Sequence, residues 1–309
     1  MNPMILTKAE CERVTVVPHK TTAIMATCQS KIECLMWSVF SLLLRSTKAL
    51  EHIIVVINGP DKRTGDPTLQ DTKQAFLEEL RNTRWLVPSL CHDRDMPITI
   101  IRAWSRIGHS QALDTAIPWV HTEAYTIMHD DIIVNTSEWC NQTFSLLTKN
   151  VGMVYAPPLL ATGLSTVDFG ESKKINLPHP NSVFITSRKE LYTDFGFRWY
   201  GYHIKKDFEL TEDEFLRFHK EDTTHVPAKG KYGYLSMDVG TWPYYRLKEA
   251  GYEFEALHPD TITHLCAMSW RSQGEQKEAV SHNKARIDAL VAEIYQHEHF
   301  KRLYEKYMT

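Results

Sequence analysis

Short apolar, β-branched runs recur along the first half of the chain, at 22–27, 52–57 and 97–102, with stretches of helical spacing between them. Ile32, Leu35, Met36, Val39, Phe40, Leu42 and Leu43 fall on one face of about four helical turns, with Ser30 as the expected N-cap. Asn58-Gly59-Pro60-Asp61 ends the second run as a dense turn signal. A helix is expected from about Thr68 to Arg81, with Leu69, Phe76, Leu77 and Leu80 inward, and another from Gln111 to Trp119. Strand, helix, strand at this spacing is a βαβ unit with a right-handed crossover. Its repetition predicts an α/β fold, a Rossmann-like and mostly parallel sheet with helices on both faces.

The pattern converges on Ala124 to Val134, where an apolar run meets Asp130 and Asp131 and a second β-branched run follows. A buried parallel strand ending there delivers both acids to the C-terminal edge of the sheet, where open α/β sheets bind ligands. Adjacent carboxylates repel unless a cation or donors compensate. A divalent ion carrying a diphosphate is one compensation, because hard oxygen ligands suit Mg²⁺ or Mn²⁺. A solvated surface turn is the other reading of the local pattern.

Beyond Val134 the pattern is less regular. Tyr155 to Pro158 and Gly163 to Pro180 read as loop, and Asn181 to Tyr192 as a strand running into a helix. Trp199, Tyr200, Tyr202 and His203 combine aromatic faces with polar groups, which suits either sugar stacking or a core and its rim. The polar stretch 205–231 reads as a lid or a surface excursion. Tyr252 to Leu257 and Thr261 to Leu265 are strand-like, and Gly251 is the expected C-cap of the helix before them. From Gly274 an amphipathic helix presents Ile287, Leu290, Val291, Ile294 and Tyr295, either to the body or to a second copy. The expected organisation is 1–134 as one half, 135–273 as the other half of the same domain, and 274–309 as a C-terminal helix.

Composition narrows the classes. The chain has 309 residues, 43% hydrophobic, enough for a sizeable core. Lys+Arg 35 against Asp+Glu 38 leaves a net charge of -3, which gives no reason to expect a nucleic acid or an anionic membrane. Lys173, Lys174, Arg188, Lys189, Arg198, Lys205 and Lys206 are a local excess of cations, read as solvated surface in preference to a phosphate track. The six Cys show no metal or disulfide spacing, so free thiols in a reducing, cytoplasmic setting are expected. No leader pattern precedes Glu10, and no run of about 18 apolar residues predicts a membrane span.

The order of these features resembles the nucleotide-sugar-binding part of a GT-A glycosyltransferase, nearest to glycosyltransferase family 2. The family's "IIVVDDGS-D-T" turn is represented by Ile53 to Thr64, with Asn58 in place of an acid that holds base or ribose. Its "N-G-A-N-G" segment is matched in spacing by Arg106, Gly108, Ala112 and Asp114, and its "DxD" motif by His129-Asp130-Asp131, with His129 in place of the first acid. In the second half, Arg188-Lys189-Glu190-Leu191 and Gly196-Phe197 resemble the "rre-l" and "GgFd" segments. Arg246-Leu247 and Ala250-Gly251-Tyr252 resemble the helix after the catalytic "ED" acid, for which Asp238 stands.

The resemblance implies transfer of a sugar from a nucleoside diphosphate donor, such as a UDP-sugar, to a hydroxyl, with inversion. Asp238 would be the base; Thr27, Asn58, Arg106, Gly108 and Asp130 would hold the nucleotide, Asp130 by the ribose or else by helping the metal; Asp131, His129 and a C-terminal His264 would hold Mn²⁺ or Mg²⁺. The acceptor stays open between a glycan, a lipid carrier, a protein and a hydroxymethylated base in DNA. Two other classes compete. A nucleotidyltransferase of related topology would want a Gly-rich, basic loop after the first strand, which Thr27-Cys28-Gln29-Ser30-Lys31 is not. A non-catalytic nucleotide-sugar or glycan-binding domain fits the departures at Asn58 and His129.

Overall fold

Strand β1 (Thr21–Thr27) is an interior strand of the main sheet and is buried on both faces. The computed structural model describes residues 18–27, 30–59, 67–82, 97–104, 107, 109–157, 160–168, 174–179, 183–193, 199, 234–235, 243–244, 247–248, 250–265 and 280–308. In chain order, β1 is followed by α1 (Ile32–Leu44), β2 (Leu50–Ile57), α2 (Pro67–Arg81), β3 (Ile98–Arg102) and α3 (His109–Ala116). Then come β4 (Ala124–His129), β5 (Ile132–Val134), α4 (Trp139–Leu146), β6 (Val151–Tyr155), β7 (Leu160–Asp168) and β8 (Lys174–His179). The remainder is β9 (Phe184–Arg188), α5 (Lys189–Thr193), β10 (Tyr234–Leu235), β11 (Glu253–Ala256), β12 (Ile262–His264), α6 (Lys284–Ile294) and α7 (Glu298–Met308).

The main sheet has seven strands in the order β11-β6-β9-β4-β1-β2-β3. Only β9 runs against its neighbours; β1 pairs in parallel with both β2 and β4. The expected α/β class is therefore observed. Side chains alternate across β1: Ala23 and Met25 join one core, Ile24 and Ala26 the other. A continuous apolar strand is what a doubly covered parallel sheet requires. Strands from both parts of the sequence share this sheet, since β6, β9 and β11 extend it beyond β4.

Four expectations change. The C-terminal stretch is not one continuous helix: among the described residues α6 and α7 are separated by a break at Tyr295 to His297. Their apolar faces are spent on the body. Phe300 of α7 lies 5.0 Å from Phe40 of α1, Tyr307 lies 5.6 Å from Phe76 of α2, and Tyr304 accepts a hydrogen bond from Trp37. The expected loop 163–180 contains the antiparallel pair β7–β8, which β10 extends. Pro178 is tolerated within β8 because β8 is an edge strand. Trp199 is core, 1% exposed, its indole N–H donating to the Tyr125 hydroxyl, so it presents no face to a sugar. Arg188 and Lys189 are not the solvated surface cations expected. Lys189 donates to the Val120 carbonyl, and Arg188 is wholly buried.

Arg188 holds the turn between α4 and β6. Its guanidinium donates to the carbonyls of Leu147 and Lys149 at 3.0 and 3.1 Å, and to those of Thr148 and Val151. Arg188→Met keeps the apolar stem and removes every donor. A loss of about 3 kcal/mol in urea unfolding is expected, because buried carbonyls left without partners cost about 1–3 kcal/mol each. An unchanged urea midpoint would refute the clamp. Among the described residues no helix is long and apolar enough to cross a membrane.

Candidate metal centre

The C-terminal ends of β1, β2 and β4 line one edge of the sheet, and the polar residues at these ends are Thr27, Asn58 and His129-Asp130-Asp131. After the two acids the chain enters β5, which leaves the main sheet and pairs antiparallel with β12 in the register His264 to Ile132. The Leu265 N–H donates to the Asp131 carbonyl at 2.9 Å. On its other side β5 is held by α1: the Ser38 hydroxyl bonds both backbone groups of Ile132, and the Ser41 hydroxyl accepts from Val134 N–H. Those buried serines replace the strand that β5 lacks on that side, which keeps its backbone groups paired.

This pairing brings His264 to Asp131. The His264 Nε2 lies 3.3 Å and the His129 Nδ1 3.8 Å from the Asp131 Oδ1. One ligand atom from each of the three residues lies within 4.8 Å of the others. A single divalent ion spans such gaps when each ligand atom sits about 2.0–2.2 Å from it. The three residues expected as metal ligands thus converge. Two imidazole nitrogens and one carboxylate oxygen are a donor set that suits a first-row divalent ion. Burial pushes the His129 imidazole down to about 4, against the pull of the Asp131 carboxylate, so the ring is neutral at pH 7 and keeps a lone pair. A third ring, His109 at the start of α3, packs edge-on against His129 with centroids 5.0 Å apart.

Asp130 turns the other way. Its Oδ2 accepts from the Ser30 hydroxyl and lies 4.0 Å from the Lys73 ammonium. Lys73 donates to Thr27 Oγ1 at 2.6 Å and to Ser30 Oγ at 3.2 Å. All four side chains are buried, and Lys73 is 0% exposed. Burial raises the Asp130 carboxyl above its usual range while the Lys73 charge draws it back. The adjacent acids are therefore compensated separately, Asp130 by an internal ammonium and two hydroxyls, Asp131 beside two histidines.

Lys73 was missed in the sequence. It sits on the inward stripe of α2 with Gln70, Phe76, Leu77 and Leu80. A lysine at a core-facing position was the signal, since lysine is rarely buried without a partner. Ser30 is not the N-cap of α1. Lys31 takes that position without a side-chain cap bond, because the Ser30 hydroxyl is committed to Asp130.

Asn58 also has an internal partner. Its Nδ2 donates to the Ile107 carbonyl at 2.7 Å and its Oδ1 accepts from the Ile107 N–H at 2.9 Å, a two-bond clamp on the segment after β3. An asparagine can make this clamp because it both donates and accepts. At the same edge Trp104, just past β3, is 83% exposed, with the Arg102 guanidinium 4.8 Å from its ring centre. Arg106 and Gly108 flank the clamped residue and, like Asp238, Tyr200, Tyr202 and His203, lie outside the described residues.

No family model and no curated protein matches the sequence. Among solved structures the chain is similar to 4-diphosphocytidyl-2C-methyl-D-erythritol synthase from Anaerococcus prevotii, with 11% identity over 86% of this chain and 98% of that one, at a TM-score of 0.44. It is also similar to a mannosyltransferase from Pyrobaculum calidifontis, solved with GDP-Man and Mn²⁺, with 14% identity over 95% of this chain and 83% of that one, at a TM-score of 0.41.

Proposed function

We propose that the chain is a metal-dependent glycosyltransferase of GT-A organisation, moving a sugar from a nucleoside diphosphate donor to an acceptor hydroxyl. The observation that supports this most is the convergence of His129, Asp131 and His264 at the C-terminal edge of the parallel sheet. Ligands of open α/β sheets bind at this edge. When bound, the divalent ion supplies the Lewis acidity that neutralises a departing diphosphate.

The chain's own residues do the rest. Asp131 and the two histidines fix the ion's place, and β5 and β12 fix theirs. Thr27 and Asn58 shape the ends of β1 and β2, over which the nucleoside would lie, with Arg106 and Gly108 beside it. Asp238 is the proposed base that takes the acceptor's proton in a single displacement. In this reading 1–134 binds the donor and 135–273 the acceptor.

The test is donor turnover. Protein stripped of metal is offered UDP-, GDP- and TDP-sugars with and without Mn²⁺, and free nucleoside diphosphate is measured alongside a thermal-shift panel. Release that requires Mn²⁺ is expected for one donor. Metal-dependent stabilisation by a donor without any release would make the chain a binding domain. Pyrophosphate release from a nucleoside triphosphate would move it to the nucleotidyltransferases.

A further inference from the structure

We infer that Lys73 determines which of the two adjacent acids serves the metal, and through that choice which metals the site accepts. The inference rests on the metal-site reading above and deepens it. Two carboxylates at one strand end would both be drawn to a divalent cation, and an oxygen-rich site of that kind suits Mg²⁺ or Ca²⁺. Here one of them is already taken. The Asp130 Oδ2 accepts from Ser30, and Ser30 and Thr27 both accept from the Lys73 ammonium, itself 4.0 Å from Asp130. Lys73 is completely enclosed. Turning Asp130 toward an ion would part a carboxylate from a buried ammonium 4.0 Å away, and separating the partners of a buried ion pair is costly.

What remains for the ion is one carboxylate and two imidazoles, Asp131 with His129 and His264. Imidazole nitrogens favour first-row transition ions, whose affinities rise from Mn²⁺ through Co²⁺, while Mg²⁺ prefers oxygen and gives up its water reluctantly. Lys73 is thus a positioning residue. It is enclosed behind Asp130, and it keeps the site nitrogen-rich by holding that acid inside. Without the ammonium, Asp130 is released to turn to the ion as a second carboxylate, and Mg²⁺ gains relative to Co²⁺.

The test reads metal preference directly, with no donor present. Chelator-stripped protein is titrated with Co²⁺, followed by its visible absorption, and the bound Co²⁺ is then competed with Mg²⁺. The wild-type chain is expected to bind Co²⁺ and to resist Mg²⁺. Lys73→Met should narrow the Co²⁺ to Mg²⁺ affinity ratio by about 10–100-fold, the range seen when a residue behind a metal ligand is changed. Lys73→Met combined with Asp130→Asn should return to the wild-type ratio, because no second acid is left to turn outward. A purely structural role for Lys73 would alter stability and leave the ratio alone. A folded Lys73→Met protein with the wild-type ratio overturns the inference, as does a double variant that keeps the narrowed ratio. Where Lys73→Met fails to fold, Asp130→Asn decides: an unchanged ratio supports the inference, and a changed one puts Asp130 on the ion and overturns it. Absence of Co²⁺ binding to the wild-type chain overturns it too. Intact metal preferences with no donor turnover would defeat glycosyl transfer alone, and Mn²⁺-dependent turnover with a ratio insensitive to Lys73 would defeat this inference alone.

Discussion

Asp131→Ala is expected to abolish divalent-metal binding, and with it metal-dependent donor binding, in a chain that stays folded. Asp131 is the centre of the cluster, since both histidine contacts are to its Oδ1. Among the described residues it is the carboxylate that faces the histidines, because Asp130 is held by Ser30 and Lys73. Loss of this anionic ligand removes several kcal/mol of ion binding, about two to four decades in affinity at roughly 1.4 kcal/mol per decade. Besides the His264 contact, Asp131 reaches the β12 end through its backbone carbonyl, which accepts from Leu265 N–H and survives in alanine. Ser38 and Ser41 continue to hold β5 from the α1 side. Calorimetry with Mn²⁺, alone and with the donor, checks the first half, and circular dichroism the second. Undiminished Mn²⁺-dependent donor affinity in a folded Asp131→Ala protein would remove the metal site from this place.

The legible part of the molecule was the part built from local repetition. The apolar runs of β1, β2 and β4 are continuous because both sheet faces are covered; α2 carries a clear inward stripe, and α1, apolar along most of its length, is buried from Cys34 to Leu44. β6 was not seen. It is short and interrupted by Gly152, where a Cβ would lie 3.1 Å from Leu247 and from Tyr252. The glycine that reads as a break is there because a neighbouring segment packs against the strand. The site divided in the same way. Asp130 and Asp131 stood out because two acids end an apolar strand, and His129 and His264 came from the family resemblance. No local pattern could show that β12 pairs with β5 in the register that sets His264 beside Asp131. The partner of Asp130 was equally hidden. A lysine on a buried stripe announces a counter-charge, but only the packing of α2 against the end of β1 shows which acid supplies it.

Asp238→Asn is expected to lower glycosyl transfer by about 10²–10⁴-fold, the usual contribution of a positioned general base, with donor affinity unchanged. The argument starts downstream of it. Gly251 has φ 85, Tyr252 N–H donates to the Leu247 carbonyl and Gly251 N–H to that of Lys248, so the helical turn there ends in a left-handed glycine cap. Leu247, Ala250 and Tyr252 are buried in the core that also takes side chains of α3, and the chain then enters β11 of the main sheet. Asp238 precedes this anchored turn in the sequence, and the base is the role proposed for it above. Asparagine keeps the shape and loses the ability to take a proton. The loss should therefore fall on turnover at saturating donor, the signature of an interaction made in the transition state. A single displacement also inverts the anomeric carbon, which NMR of the first-formed product reads directly. Retained configuration would sink the single displacement, and near-normal turnover in Asp238→Asn would pass the role of base to His203 or Asp194.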